Sequence, residues 1–214
     1  MRMMKSLAAA GALLLATQAA HADPASVDRL TRLLEPLKTY SADFDQQILD
    51  ASGSSLQDTS GHMWLSRPGH FRWEVNEPYR QIVVSNGQEV TLYDPDLEQA
   101  TIQSLDDRVT HTPALLLSGS ASELAQNYEV TEQQQGTGET FTLKPKANDT
   151  LFEQLKLTFY SEKLGMLQMT DSTGQRTAIK FDNAEVNGSI DPAKFRFEIP
   201  AGADVIREQS PASP

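Results

Sequence analysis

Gly61-His62-Met63-Trp64-Leu65-Ser66-Arg67-Pro68-Gly69-His70-Phe71-Arg72-Trp73-Glu74-Val75, followed shortly by Gln81-Ile82-Val83-Val84-Ser85-Asn86-Gly87-Gln88-Glu89-Val90-Thr91-Leu92-Tyr93, decides the fold class of this chain. Residues 61–67 and 70–75 have strand character, and Phe71, Trp73 and Val75 share one face at period two. Asn86-Gly87 lies between two further strands, 81–85 and 89–93, and is the strongest short hairpin signal a sequence offers. Upstream, Tyr40, Ala42, Phe44, Gln46 and Ile48 alternate with polar residues, which predicts a half-buried strand. Downstream, strands are expected over 97–105, 139–144, 151–160, 166–171 and 176–181, and a last alternation of Phe195, Phe197 and Ile199 stops at Pro200. Many antiparallel strands joined by tight turns mean a barrel or a sandwich.

Two helical stretches break the two-residue period. Val27, Leu30, Leu33, Leu34 and Leu37 recur at helical spacing, with Ser26 as N-cap and an end near Pro36. Thr112-Pro113 is a second helix start, followed by Ala114, Leu115, Leu116 and Leu117; a third short helix is expected over 121–126, capped by Ser120. So apolar an insert must cover something. Periodicity leaves two outcomes open: the helices plug one end of the sheet and complete its core, or they form a lid over a cavity for hydrocarbon.

The N-terminus carries an export signature. Arg2 and Lys5 precede an apolar run over 7–20, and Ala20-His21-Ala22 offers the small residues a signal peptidase accepts. A cleaved signal over 1–22, one domain over 23–208 and a polar tail over 209–214 are therefore expected. The signal would take two of the 18 basic residues, leaving 16 against 29 acidic ones and a net charge of −13 (16 − 29). Nucleic-acid phosphates and anionic membrane faces would repel such a surface. There is no cysteine, so an exported domain of this kind relies on its core rather than on disulfides.

Enzyme signatures fail one by one. No Gly-x-Ser-x-Gly elbow, His-Glu-x-x-His pair or phosphate-binding glycine loop occurs, and thiol chemistry needs a cysteine. His62, His70 and His111 are isolated in sequence, so no metal is expected. Asp94, Asp96 and Glu98 resemble the start of a calcium loop but lack its glycine and terminal glutamate. Neither catalysis nor a cofactor is expected.

Several runs in register resemble the periplasmic outer-membrane lipoprotein carrier family. They are the Arg-Pro segment 61–73, Ser85-Asn86-Gly87, Leu92-Tyr93-Asp94-Pro95, Thr112-Pro113-Ala114-Leu115-Leu116-Leu117, Leu143-Lys144-Pro145-Lys146, and Asp191-Pro192-Ala193-Lys194-Phe195-Arg196-Phe197. The resemblance covers essentially the whole expected mature chain. It implies a mainly β fold with helices: an incompletely closed antiparallel β-barrel with a helical lid over a hydrophobic cavity. It also implies a soluble, monomeric periplasmic carrier. Such a carrier receives acylated lipoproteins from an inner-membrane ABC transporter and delivers them to an outer-membrane receptor. The family's receptor has an N-terminal cysteine for its own lipid, which this chain lacks.

The resemblance also nominates residues. Arg67 would latch the lid by reaching carbonyls of a lid helix, a task that suits a planar guanidinium. Phe71 and Trp73 would touch cargo or transporter, against the simpler expectation of core packing. Leu115, Leu116 and Leu117, with Leu30, Leu33 and Leu34 of the first helix, would form the lid; Trp64 and Leu65 would line the cavity wall. Three alternatives stand beside the carrier: a same-fold carrier or sensor of other lipids, a secreted hydrolase with a dispersed site, and a purely structural interaction domain. Ligands co-purified with the protein separate the first two, and failure to bind any acyl chain marks the third.

Overall fold

A computed structural model describes residues 24–104, 113–147, 150 and 152–207. The expected signal over 1–22, His111, Thr112 and the tail over 209–214 lie outside the described residues.

Helix α1, Pro24–Leu34, starts on a proline, whose fixed φ and missing N–H suit a first turn. Ser26 is thus buried inside the helix rather than capping it. Six strands follow: β1 Thr39–Leu49, β2 Ser55–Ser66, β3 His70–Glu77, β4 Gln81–Asn86, β5 Glu89–Asp94 and β6 Gln99–Ser104. Then come a 3-10 helix, Pro113–Ser118, and α2, Ala121–Asn127. Five strands return: β7 Tyr128–Gln135, β8 Gly138–Pro145, β9 Phe152–Tyr160, β10 Lys163–Asp171 and β11 Arg176–Val186. A second 3-10 helix, Pro192–Phe195, and β12, Asp204–Arg207, complete the order.

All twelve strands form one sheet in the order β12-β6-β5-β4-β3-β2-β1-β11-β10-β9-β8-β7. β12 joins β6 in parallel, and the other ten pairings are antiparallel. β12 and β7 end the sheet unpaired with each other, so the barrel is incompletely closed. β6 lies next to one end of the sheet and β7 at the other. Between them in sequence come the 3-10 helix, which contacts β2 and β3, and α2, which contacts α1 and β7.

The hairpin at Asn86-Gly87 forms as expected: Gly87 has φ +92°, and the Asn86 side-chain oxygen accepts from the Gln88 and Glu89 amides. Asp94 likewise closes its own turn by accepting from Asp96 and Leu97, which leaves Leu97 exposed outside β6. The expected last strand does not form. Residues 192–195 are a 3-10 helix capped by the Asp191 carboxylate, and 196–200 pair with no strand. Phe195, Phe197 and Ile199 do alternate in burial, because an extended chain lying on an apolar surface shows period two without any ladder.

Cross-strand register sorts the side chains into two layers. Tyr40, Ala42, Phe44, Met63, Leu65, Phe71, Trp73 and Val83 lie on the concave face and continue through Ile179, Leu167, Leu157 and Phe141 into one buried cluster. A smaller core lies on the convex face, where Val84, Tyr93, Ala100 and Ile102 are buried on the side that meets the C-terminal segment. Tyr93 and Phe197 bring their ring centroids to 5.3 Å there.

Gly61 is a steric requirement of the concave layer. A Cβ there would lie 1.8 Å from the Glu74 carbonyl oxygen and 2.7 Å from the Phe44 ring, which stacks on Trp73 at 3.5 Å between centroids. Gly61→Ala must displace backbone as well as a ring. We expect a loss of about 3 kcal/mol or more in chemical denaturation; an unchanged midpoint would contradict the close approach.

Candidate functional site

The site lies at the mouth of the barrel, where β2 turns into β3. Arg67 follows the last residue of β2, and its backbone N–H donates to Lys38 O at 2.9 Å, which fixes where the side chain starts. Its Nε donates to Leu117 O at 2.9 Å and its Nη1 to Leu34 O at 2.7 Å. Leu34 ends α1 and Leu117 lies in the last turn of the 3-10 helix. Both carbonyls lie at helix ends, where internal partners run out; Leu34 O accepts from Leu37 N as well, at 3.1 Å, and a cation suits the negative end of a helix dipole. Burial pushes the Arg67 guanidinium below its ordinary pKa.

The rest of the turn adds to this attachment. Gly69 N donates to Ser118 O at 3.1 Å, and the buried Ser85 hydroxyl donates to Gly69 O at 2.6 Å. One β-turn thus holds the C-terminal ends of two helices.

α1 has anchors of its own that no short-range pattern announces. Arg29 grips Glu139 of β8 through Nε at 2.7 Å and Nη2 at 3.0 Å. This hydrogen bonding, led by Glu139, raises the Arg29 pKa. Asn187, at φ 58°, accepts from Lys38 N at 2.8 Å and donates to Pro36 O at 2.9 Å. Asn187-Gly188 is a turn dipeptide, the one hint of this in the sequence. Arg29 and Glu139 are 110 positions apart and give none. Since Arg29 is partly exposed, Glu139→Gln is expected to cost about 1.5 kcal/mol, or roughly 3–6 °C in Tm. A thermal melt indistinguishable from wild type would show the pair to be idle.

Leu30, Leu33 and Leu34 are buried in the concave cluster, together with Leu115 and Leu117. Leu116 is only partly buried against it. Leu65, Phe71 and Trp73 form the sheet side of the same cluster, and the 3-10 helix contacts β2 and β3. The leucines of α1 and the 3-10 helix thus pack against the apolar concave face of the sheet. Trp64 requires a correction: it does not line the hollow. It alternates with the inward Met63 and Leu65, so it faces the convex side, with the Lys194 ammonium 4.0 Å from its ring centroid. His62 pairs with Asp43 at 2.7 Å, and the His70 ring packs edge-on against Phe195. The structure gives those two histidines separate partners.

Fold and site together define a class: an open β-barrel whose apolar concave face is roofed by helices and tied at the rim by one arginine. Residues 35–198 match the family described as outer membrane lipoprotein carrier protein LolA. The chain belongs to that family. An outer-membrane lipoprotein carrier protein of Chromohalobacter salexigens is 62% identical over 208 residues, covering 97% of this chain and 99% of its own. One from a strain of Pseudomonas fluorescens is 52% identical over 196 residues, covering 92% and 95%. Among solved structures, an uncharacterized conserved protein from Thermus thermophilus superposes with a TM-score of 0.51 at 15% identity, covering 86% of this chain and 98% of that one, which speaks to the fold alone.

Proposed function

We propose that this protein is a periplasmic carrier of acylated lipoproteins. It works as a monomer and without catalysis, taking cargo from an inner-membrane ABC transporter and passing it to an outer-membrane receptor. The observation that supports this best is Arg67, one guanidinium bridging the end carbonyls of two helices that cover an apolar concave face.

The magnitudes suit a carrier. Exposing an acyl chain to water costs about 0.8 kcal/mol per methylene, so a chain of about fifteen represents roughly 12 kcal/mol. Burying Leu30, Leu34, Leu115 and Leu117 contributes about 1.5–3 kcal/mol each, roughly 6–12 in all and an upper estimate. One acyl chain therefore about balances the lid, and two or three displace it. A cargo moves the lid only by its differential affinity for the two states. The empty protein hides its leucines from membranes, and the loaded one hides the cargo from water.

The test is binding of one fluorescent lipopeptide with and without its acyl groups. The acylated form should bind and the bare peptide should not; equal binding, or none, overturns the proposal. Release of free fatty acid in the same assay would favour a hydrolase instead.

A further inference from the structure

Arg67 carries five N–H groups, and the two on Nη2 have no hydrogen-bond partner among the described residues although the atom is buried. Folded proteins seldom leave such donors unpaired, because the water they gave up is not replaced. Nη2 is bonded to the same carbon as the two nitrogens that hold Leu117 O and Leu34 O. An oxygen reaching it thus lies in the plane of the guanidinium, near the seam between α1 and the 3-10 helix. Solvent does not reach that atom while the helices are down. A partner arrives only with something that parts them, and under the function proposed above that is the acyl cargo. Every acyl group brings a carbonyl oxygen at the head of its apolar chain. A small free anion is a poorer candidate, since the chain's net charge of −11 repels it.

We propose that the free Nη2 of Arg67 binds the acyl carbonyl of the cargo, so that the protein selects acyl esters and amides over alkyl chains of equal length. This rests on the carrier function. Two nitrogens hold the lid, and the third recognises what displaces it.

The experiment compares two lipopeptides with the same peptide and chain length. One carries two hexadecanoyl esters on glycerol, and the other two hexadecyl ethers. Wild-type protein should bind the ester about tenfold more tightly, and Arg67→Leu should bind both alike. In wild type, the Arg67 Nη2 proton resonances should shift on adding ester but not ether, a readout that survives if the variant fails to fold. Equal affinity of wild type for both probes overturns the carbonyl site and leaves the carrier function standing. So does a preference that persists in Arg67→Leu. Failure of both probes to bind wild type overturns the carrier function and the carbonyl site together.

Discussion

Arg67→Leu is expected to yield a folded protein that loads acylated cargo but delivers it at least roughly tenfold less effectively. The variant loses two hydrogen bonds from a charged donor to Leu34 O and Leu117 O, each about 1.5–3 kcal/mol, although Leu34 O keeps the Leu37 amide as a donor. Relief of the buried guanidinium offsets part of this, so the net cost to the lid-down state is about 3 kcal/mol. The sheet and the α1 anchors at Glu139 and Asn187 are untouched, so the fold persists. Delivery, however, converts a loaded carrier into an empty one with its lid down. Weakening that end state by about 3 kcal/mol shifts the transfer equilibrium by about two orders of magnitude toward retention, and loss of the proposed Nη2–carbonyl bond, about tenfold, takes back one of them. A two-component assay of cargo passing from carrier to receptor measures it. Arg67→Lys should fall between, since one ammonium does not reproduce the planar fork. Transfer at the wild-type level by Arg67→Leu would remove the arginine from the mechanism.

Phe71→Glu is the second large effect, and the structure changes its meaning. The resemblance casts Phe71 as a cargo or transporter contact, yet the side chain is 0% exposed. It lies opposite Leu65 and Ser85, with the Trp73 ring centroid 6.2 Å away. Truncating such a ring costs about 3–5 kcal/mol, and a buried carboxylate without a partner adds several more. We therefore expect a Tm more than about 10 °C below wild type at neutral pH, with uptake of acylated probe lost in step. The pH dependence gives a sign to check. Burial raises a carboxyl pKa, so the folded variant binds a proton more readily than its unfolded chain does. Its stability should consequently rise as the pH falls through the folded pKa. A conservative Phe71→Leu should melt near wild type and keep probe binding. Direct contact with a transporter needs the helices lifted first. Should Phe71→Glu melt within a few degrees of wild type, this packing of the lid onto β3 is wrong.

Much of this protein could be read along the chain, because strands and hairpins are local. Alternation at Tyr40, Ala42 and Phe44 and at Phe71, Trp73 and Val75 reports which side chains meet a surface, and the burial of each follows it. The Asn86-Gly87 turn needed nothing beyond its own dihedrals. Other elements lacked a local signal. β7 alternates only over Tyr128, Glu129 and Val130 and ends in Gln133, Gln134 and Gln135, all exposed, too short a pattern to betray a strand. β12 has four exposed residues and exists by parallel pairing with β6, about a hundred positions earlier. Phe195 and Phe197 mimic a strand while serving as a convex-side cover.

Residue order was enough to establish the β-rich class, the leucine-rich insert and the absence of thiol chemistry, and, through family resemblance, to nominate Arg67. Only the assembled fold could establish that the 3-10 helix of the insert meets β2 and β3, that Arg67 reaches two helix ends at once, and that Trp64 turns away from the concave face. The same holds for Arg29 and Glu139, which tie α1 to β8, and for the packing of the helical leucines onto the concave face. Period and turn chemistry depend on neighbours a few bonds away. Which helix lies over which strand depends on the order of twelve strands in one open sheet, set by contacts between residues far apart in sequence.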